Sequence, residues 1–328
     1  MPSAPSAPPP PTGVAAAASG AEAGAGSLRT VTAATGPAGW TQAELALRLP
    51  PGHPAGHGSL RLRLALDGDV VVAAEPIPGM VHRGAEKLFE VRDYRQLLAL
   101  GNRHDWLAGF AAELGIALVV EEALGLEVPE RATWIRLALA ELSRVASHLA
   151  FLAAFPARQE APESGRAMPE RELVTRLFEL VSGGRMHPML VRLGGLREDL
   201  PSGWEASARH TVEAVRGALP ALAERLDAPW LHGLGRLDPA AALSFGASGP
   251  VARASGVDLD LRRDAPYLGY AELFAPGGPG RVVLGAAGDA AARLRCLVEQ
   301  VEVSLDLVLA ALARLAAGPV QVRLPKVV

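Results

Sequence analysis

Between residues 42 and 75 the chain alternates apolar and polar positions with a period of two. Leu60, Leu62, Leu64 and Leu66 alternate with Arg61, Arg63 and Ala65, the pattern of a half-buried strand. Asp67-Gly68 then stands before Val70-Val71-Val72-Ala73, and Asp-Gly between two such runs predicts a hairpin. From Arg83 onward the period becomes helical. The spacing predicts helices over about 84–100, 104–124, 130–155, 169–181, 203–226 and 289–317. The second of these is apolar on most sides (Trp106, Phe110, Leu114, Leu118, Val119), as expected of a buried helix. Gly125 and Pro129 mark its end, and Gly318-Pro319 stops the last. Residues 228–288 are rich in Gly, Pro and Asp and are expected to be mostly irregular.

These elements add up to an α+β chain that is mainly α, with a small N-terminal antiparallel sheet followed by a bundle of long helices. The expected boundaries are a disordered tail over 1–28, a β region over 40–78 and a helical domain over 79–328. The tail is built from Ala, Pro, Ser and Gly, with too few large apolar groups to offset ordering entropy. It has neither the basic start nor the Leu/Ile/Val-rich centre of a signal peptide. Charges interrupt every other apolar run, so any membrane association is expected to be peripheral.

Composition narrows the function. The 328 residues carry a formal net charge of −3, which argues against a nucleic-acid binder, since phosphate recognition needs a basic face. Cys296 is the only cysteine. It allows no internal disulfide and no cluster held by four thiolates. There is no G-x-G-x-x-G phosphate loop, Walker A sequence, G-x-S-x-G elbow or H-E-x-x-H.

The candidate chemistry lies in five short polar segments, which hold six of the eight histidines. They are 52–58 (GHPAGHG), 79–87 (GMVHRGAEK), 102–106 (NRHDW), 141–148 (ELSRVASH) and 182–187 (SGGRMH). Histidine is the side chain most easily protonated near neutral pH, so the concentration points to proton or electron chemistry. The residues alone leave alternatives open. His53 and His57 are four apart, yet Pro and Gly between them disfavour a helix, and no third or fourth metal ligand is evident. Ordinary loop histidines and a functional loop are the other readings. His82, Arg83, Glu86 and Lys87 fit a solvated first helical turn as well as a site. Glu141, Arg144 and His148 lie three and four apart in a mostly apolar helix, where a structural ion-pair network is the favoured role of Glu141 and Arg144.

Taken together and in order, these segments resemble the D-type subunits of the proton-pumping NADH–quinone oxidoreductases (respiratory complex I), themselves similar to the large subunit of nickel–iron hydrogenases. The matching motifs run from about Leu47 to about Pro319. They include His53-Pro54-x-x-His57-Gly58, Gly79-x-x-His82-Arg83-Gly84-x-Glu86-Lys87, Val128-Pro129-x-Arg131-Ala132 and Glu141-Leu142-Ser143-Arg144. Further along come Arg185-Met186-His187, Arg192-Leu193-Gly194-Gly195, Arg253-Ala254-Ser255-Gly256-Val257 and Pro266-Tyr267-x-Gly269-Tyr270.

The resemblance implies a hydrogenase large-subunit-like fold and a chain that is not active alone. It implies no cofactor or metal bound by this chain, with FMN and iron–sulfur clusters in partner subunits and quinone as substrate. The expected partners are the small iron–sulfur subunit, other peripheral-arm subunits and the membrane arm, at the cytoplasmic face of the membrane. By motif, His57 corresponds to the histidine that hydrogen-bonds the quinone headgroup, and Trp106 to a tyrosine at the same headgroup. Arg103 and His187 correspond to residues beside the partner's terminal cluster. The sequence departs from the family in three places. Trp106 replaces the tyrosine, the acidic partner of the headgroup histidine is not evident in Phe155-Pro156-Ala157-Arg158, and the sequence stops at Val328 before the usual C-terminal segment. A non-catalytic paralogue, or a member of a hydrogenase-like or ferredoxin-driven assembly, is the alternative.

Overall fold

In the computed structural model, the described residues are 27–35, 41–48, 60–67, 70–79, 81–155 and 168–324. They fall into two units, residues 1–84 and 85–328.

The first unit is a four-stranded antiparallel meander of β1 (Ser27–Thr35), β2 (Thr41–Arg48), β3 (Leu60–Asp67) and β4 (Val70–Ile77). The hairpin that the Asp-Gly signal predicts is present, but its register differs. Asp67 pairs with Val70, one residue beyond the Leu66–Asp69 pairing that an Asp-Gly loop would set, and the pairing slips between Ala65 and Leu66. Leu64, in the middle of the leucine row, is buried. β1 is not among the predicted elements. Its pairing with β2 slips by one between Thr30 and Thr32, and a bulge of this kind breaks the period of two on which a strand is recognised. The strand also begins inside the expected tail, at Ser27.

The second unit is helical. α1 (Ala85–Glu90) and α2 (Tyr94–Asn102) replace the single predicted helix over 84–100. The break has a local cause, since the Asp93 carboxylate accepts the Gln96 N–H at 2.9 Å and caps α2. α3 (Gly109–Leu124) starts five residues later than expected, because Asp105 Oδ1 accepts the Leu107 N–H at 2.9 Å and closes a turn first. α4 (Glu130–Ala154) and α5 (Met168–Ser182) match their predicted spans to within a residue at each end. A two-residue pair, β5 (Val191–Arg192) and β6 (Gly195–Leu196), precedes α6 (Trp204–Leu226). The stretch expected to be irregular holds α7 (Pro239–Ser244), α8 (Gly249–Ala254), α9 (Leu261–Asp264) and α10 (Tyr270–Leu273). Asp238 caps α7 and Asp260 caps α9, so the aspartates that read as loop residues are helix starts. α11 (Ala290–Leu312) ends earlier than predicted.

α4 is the central element, packed on α3, α5 and α11. Its stripe of Leu139, Leu142, Val145, Leu149 and Leu152 is at most 1% exposed and belongs to one continuous core. Among the described residues, no helix is long and apolar enough to cross a membrane.

α3 departs from the reading of a helix buried by its apolar residues. Its glutamates Glu113 and Glu121 are buried, whereas Val119 is 68% exposed. Each carboxylate has partners that make burial tolerable. Glu121 takes two hydrogen bonds from Arg136, at 2.7 and 2.8 Å, and one from the Gly194 N–H at 2.7 Å. The fully buried Arg136 guanidinium also donates to the carbonyls of Arg192 and Gly195. This pair fastens α3, α4 and the β5–β6 turn together. Gly195 sits at φ +148°, with the Val320 carbonyl where a Cβ would go, so the turn needs glycine.

Candidate functional site

His53 and His57 lie outside the described residues. The described part of the candidate site is built from the turn between α2 and α3 and the segment after α5.

Asn102 is the last residue of α2 and is fully buried. Its side-chain amide donates to Glu113, and its Oδ1 accepts from Arg103 Nη1 at 3.0 Å. Glu113 also accepts the main-chain N–H groups of Met189 at 2.8 Å and Val191 at 3.0 Å. One carboxylate therefore ties the Arg103 turn to the segment carrying His187. Met189 holds a positive φ of 47° beside this anchor. Burial raises the Glu113 pKa, and the bonds from Val191, Met189 and Asn102 only partly offset it.

His187 and Arg103 are brought together by this scaffold. The His187 ring interacts with the Asn102 backbone, its Nδ1 is buried without a hydrogen-bond partner, and its pKa is lowered by burial and then by the Arg103 charge. Arg103 remains exposed, and Trp106, half-buried, follows in the same turn. The corner thus holds a fixed cation, a histidine biased towards the neutral form, and an indole. Glu113 is absent from the sequence-based candidates, and Asn102 figures there only as the start of a segment, yet these two position the corner. A glutamate in an otherwise apolar helix is the signal that could have found the first.

The second and fourth polar segments divide differently. Lys87 pairs with Glu90 at 3.0 Å, both exposed, so that turn is a charged surface. Glu141, by contrast, is fully buried. It accepts from Arg144 at 3.2 Å, from Arg262 at 3.2 and 3.3 Å, and from the Tyr270 hydroxyl. Burial opposes its charge, but the guanidinium groups of Arg144 and Arg262 outweigh burial and hold the carboxyl below its usual range. Asp260 pairs with Arg262 at 2.8 Å. His148 Nε2 lies 3.2 Å from Gln300 Oε1, and burial, then Arg144, lowers its pKa to about 4. The favoured sequence reading of Glu141 and Arg144, a structural network, is what the geometry shows.

Among the described residues no group of three or more His, Cys, Asp or Glu side chains is placed to hold a metal ion. Cys296 is buried, and burial pushes its thiol pKa up, the reverse of what a thiolate ligand needs.

Comparison with known proteins decides the family. Residues 165–328 match the model of the respiratory-chain NADH dehydrogenase 49 kDa subunit. The chain is 52% identical to the D-type subunit, numbered 2, of the NADH-quinone oxidoreductase of Salinispora tropica, over 92% of its own length and 78% of that protein. The chain belongs to the family of D-type subunits of NADH–quinone oxidoreductases. It is also 50% identical to the D-type subunit numbered 1 of Streptomyces coelicolor, over 87% of its length and 76% of the relative. At greater distance it is 38% identical to the D-type subunit of Citrifermentans bemidjiense, over 86% of its length and 73% of that protein. As a member of this family it is one part of an oxidoreductase complex, not an enzyme by itself. The family motifs on α4 and in the α8–α10 region meet in the Glu141–Arg262 network, and those after α5 meet Asn102 and Glu121.

Proposed function

We infer that this chain forms one wall of a quinone site beside the terminal iron–sulfur cluster of a small partner subunit. Electrons would come from NADH through FMN and iron–sulfur centres of other peripheral-arm subunits, at the cytoplasmic face of the membrane. The observation that supports this most is the convergence of Arg103 and His187 on Asn102. They come from separate segments, and a purely structural corner has little use for an exposed cation next to a half-buried neutral imidazole.

The residues divide the work by their chemistry. Reducing a quinone takes two electrons and two protons, so a positioned acid is needed at the headgroup, and His57 is that acid. Trp106 offers an indole N–H as a hydrogen-bond donor but does not release its proton, so it orients the headgroup without protonating it. The Arg103 charge favours added negative charge beside it. His187 starts neutral and takes up a proton when that negative charge arrives, because an electron nearby raises its proton affinity.

The deciding experiment is NADH-driven reduction of a quinone analogue by the complex that co-purifies with the tagged chain. A His57→Ala variant should assemble and lose most of this turnover. Unchanged turnover in that variant removes His57 from the mechanism. A second reading, a non-catalytic paralogue, rests on Trp106 and on the lack of an acidic residue in 155–158. It requires the wild-type complex to contain reducible iron–sulfur centres and leave the quinone untouched.

A further inference from the structure

A cavity of about 300 Å³ opens between α3 and α4. None of the residues given a role above in quinone chemistry lines it. Its α3 wall is apolar, formed by Ala111, Leu114, Gly115 and Leu118. Its α4 wall is mostly polar, formed by Ser143, Arg144, Ser147 and His148 beside Ala140, and Ala108 and Tyr267 complete it.

The polar wall has unused capacity. Arg144 gives Glu141 only its Nε, so the two terminal nitrogens, which carry four of a guanidinium's five N–H donors, make no hydrogen bond to described residues. Ser143 is 4% exposed, and its hydroxyl likewise bonds to no described residue. Ser143 lines the cavity, so its hydroxyl is free to donate to a ligand there. The Gln300 atom that faces His148 must be the oxygen, because it also accepts from Arg253 Nη2 at 3.0 Å. His148 therefore carries its proton on Nε2, and the ring adds no charge.

The charge balance indicates what fits. The buried network behind the wall contains three guanidinium groups (Arg144, Arg253, Arg262) and two carboxylates (Glu141, Asp260). One positive charge is left over, and Arg144 is the member that reaches the cavity. A single surplus cation in a confined space attracts a monoanion. The uncharged His148 and the apolar α3 wall leave no match for a dianion such as phosphate.

We propose that this cavity binds a carboxylate on a short apolar stem, with the carboxylate on Arg144 and Ser143 and the stem against Leu114 and Leu118. The carboxylate is either a free small acid or an Asp or Glu side chain of a partner subunit. The residues it uses have no part in the quinone reading, although Ala108, two residues after Trp106, lines the same cavity.

Hexanoate is the probe, titrated into the full-length chain by calorimetry. Saturable binding is expected, at least tenfold tighter than for 1-hexanol, hexylamine or inorganic phosphate. Gly115→Leu fills the cavity, and a Cβ at Gly115 meets nothing within 4 Å, so this variant should fold normally and lose at least tenfold in hexanoate affinity. Arg144→Gln should lose as much. No saturable binding, equal binding of hexanol, or wild-type affinity in Gly115→Leu overturns the proposal. Once the free chain binds, the assembled complex separates the sources. Retained hexanoate binding there identifies a free acid, and lost binding identifies a partner's acidic side chain.

Discussion

Two polar regions of the helical unit use the same residue types in opposite ways. Around Glu141, each buried carboxylate meets at least one guanidinium. Around Arg103 and His187, the cation is exposed, one ring nitrogen is buried and unsatisfied, and the carboxylate that anchors the corner, Glu113, is engaged by backbone N–H groups. Burial of each carboxylate against guanidinium groups fixes geometry, because removing a buried partner strands a charge in a low dielectric. Partial exposure with loose pairing leaves charge free to respond to an outside group. The first region is scaffold except at Arg144, its one member that reaches a cavity, and the second is open to an outside group along the whole corner.

The comparison breaks most visibly at Glu141. Glu141→Ala strands the buried Arg262 with Asp260 alone and orphans the Tyr270 hydroxyl, so it should cost about 3–5 kcal/mol, read as a lower denaturant midpoint. A loss under about 1 kcal/mol would mean that the network is not the scaffold.

His148 gives the next effect, and it depends on pH. Its folded pKa, about 4, lies below its ordinary 6.5, so the neutral form is favoured by folding. Stability from this group is complete above pH 6.5 and is lost as pH falls towards 4, by about 3 kcal/mol at about 1.4 kcal/mol per unit. His148→Gln should flatten the stability curve across that window. An unchanged slope would place the titration elsewhere.

Glu113→Gln should cost about 1–3 kcal/mol at neutral pH, because an amide NH₂ would face a main-chain N–H. Its sign with pH is the reverse of His148. The raised carboxyl pKa means that stability from this group is present at low pH and lost as pH rises through the folded value. The Gln variant should lack that loss in chemical denaturation run as a pH series.

The smallest stability effect is expected at Arg103. Arg103→Gln should change stability by no more than about 0.5 kcal/mol, as for exposed residues generally. It should nevertheless raise the His187 pKa, followed by NMR titration of the ring, because a nearby cation is removed. A large stability loss with an unmoved His187 would reverse the contrast between the two regions.

Periodicity alone is enough for α4, α5 and α6, where one face is buried and the apolar pattern repeats. The β3–β4 hairpin is legible from the leucine row of β3 and the Asp-Gly turn, although β4 is almost wholly exposed and the pairing slips once. The motifs that bear the family resemblance are legible for a similar reason, since each is a short run whose residue types and order are written in the chain. Where a side chain overrules the pattern locally, as Asp93 and Asp105 do, the sequence holds the signal but not its weight. What the tertiary structure decides is which charges go inside. Glu113 and Glu121 are polar positions of α3 that a local reading sends to solvent. Only the arrival of Asn102, Arg136 and the 189–194 backbone makes their burial less costly than exposure. Those partners come from distant segments, so no local window contains the reason. The meeting of Arg103 with His187 is of the same kind, because proximity across the chain is fixed by packing, and packing is a property of the whole fold.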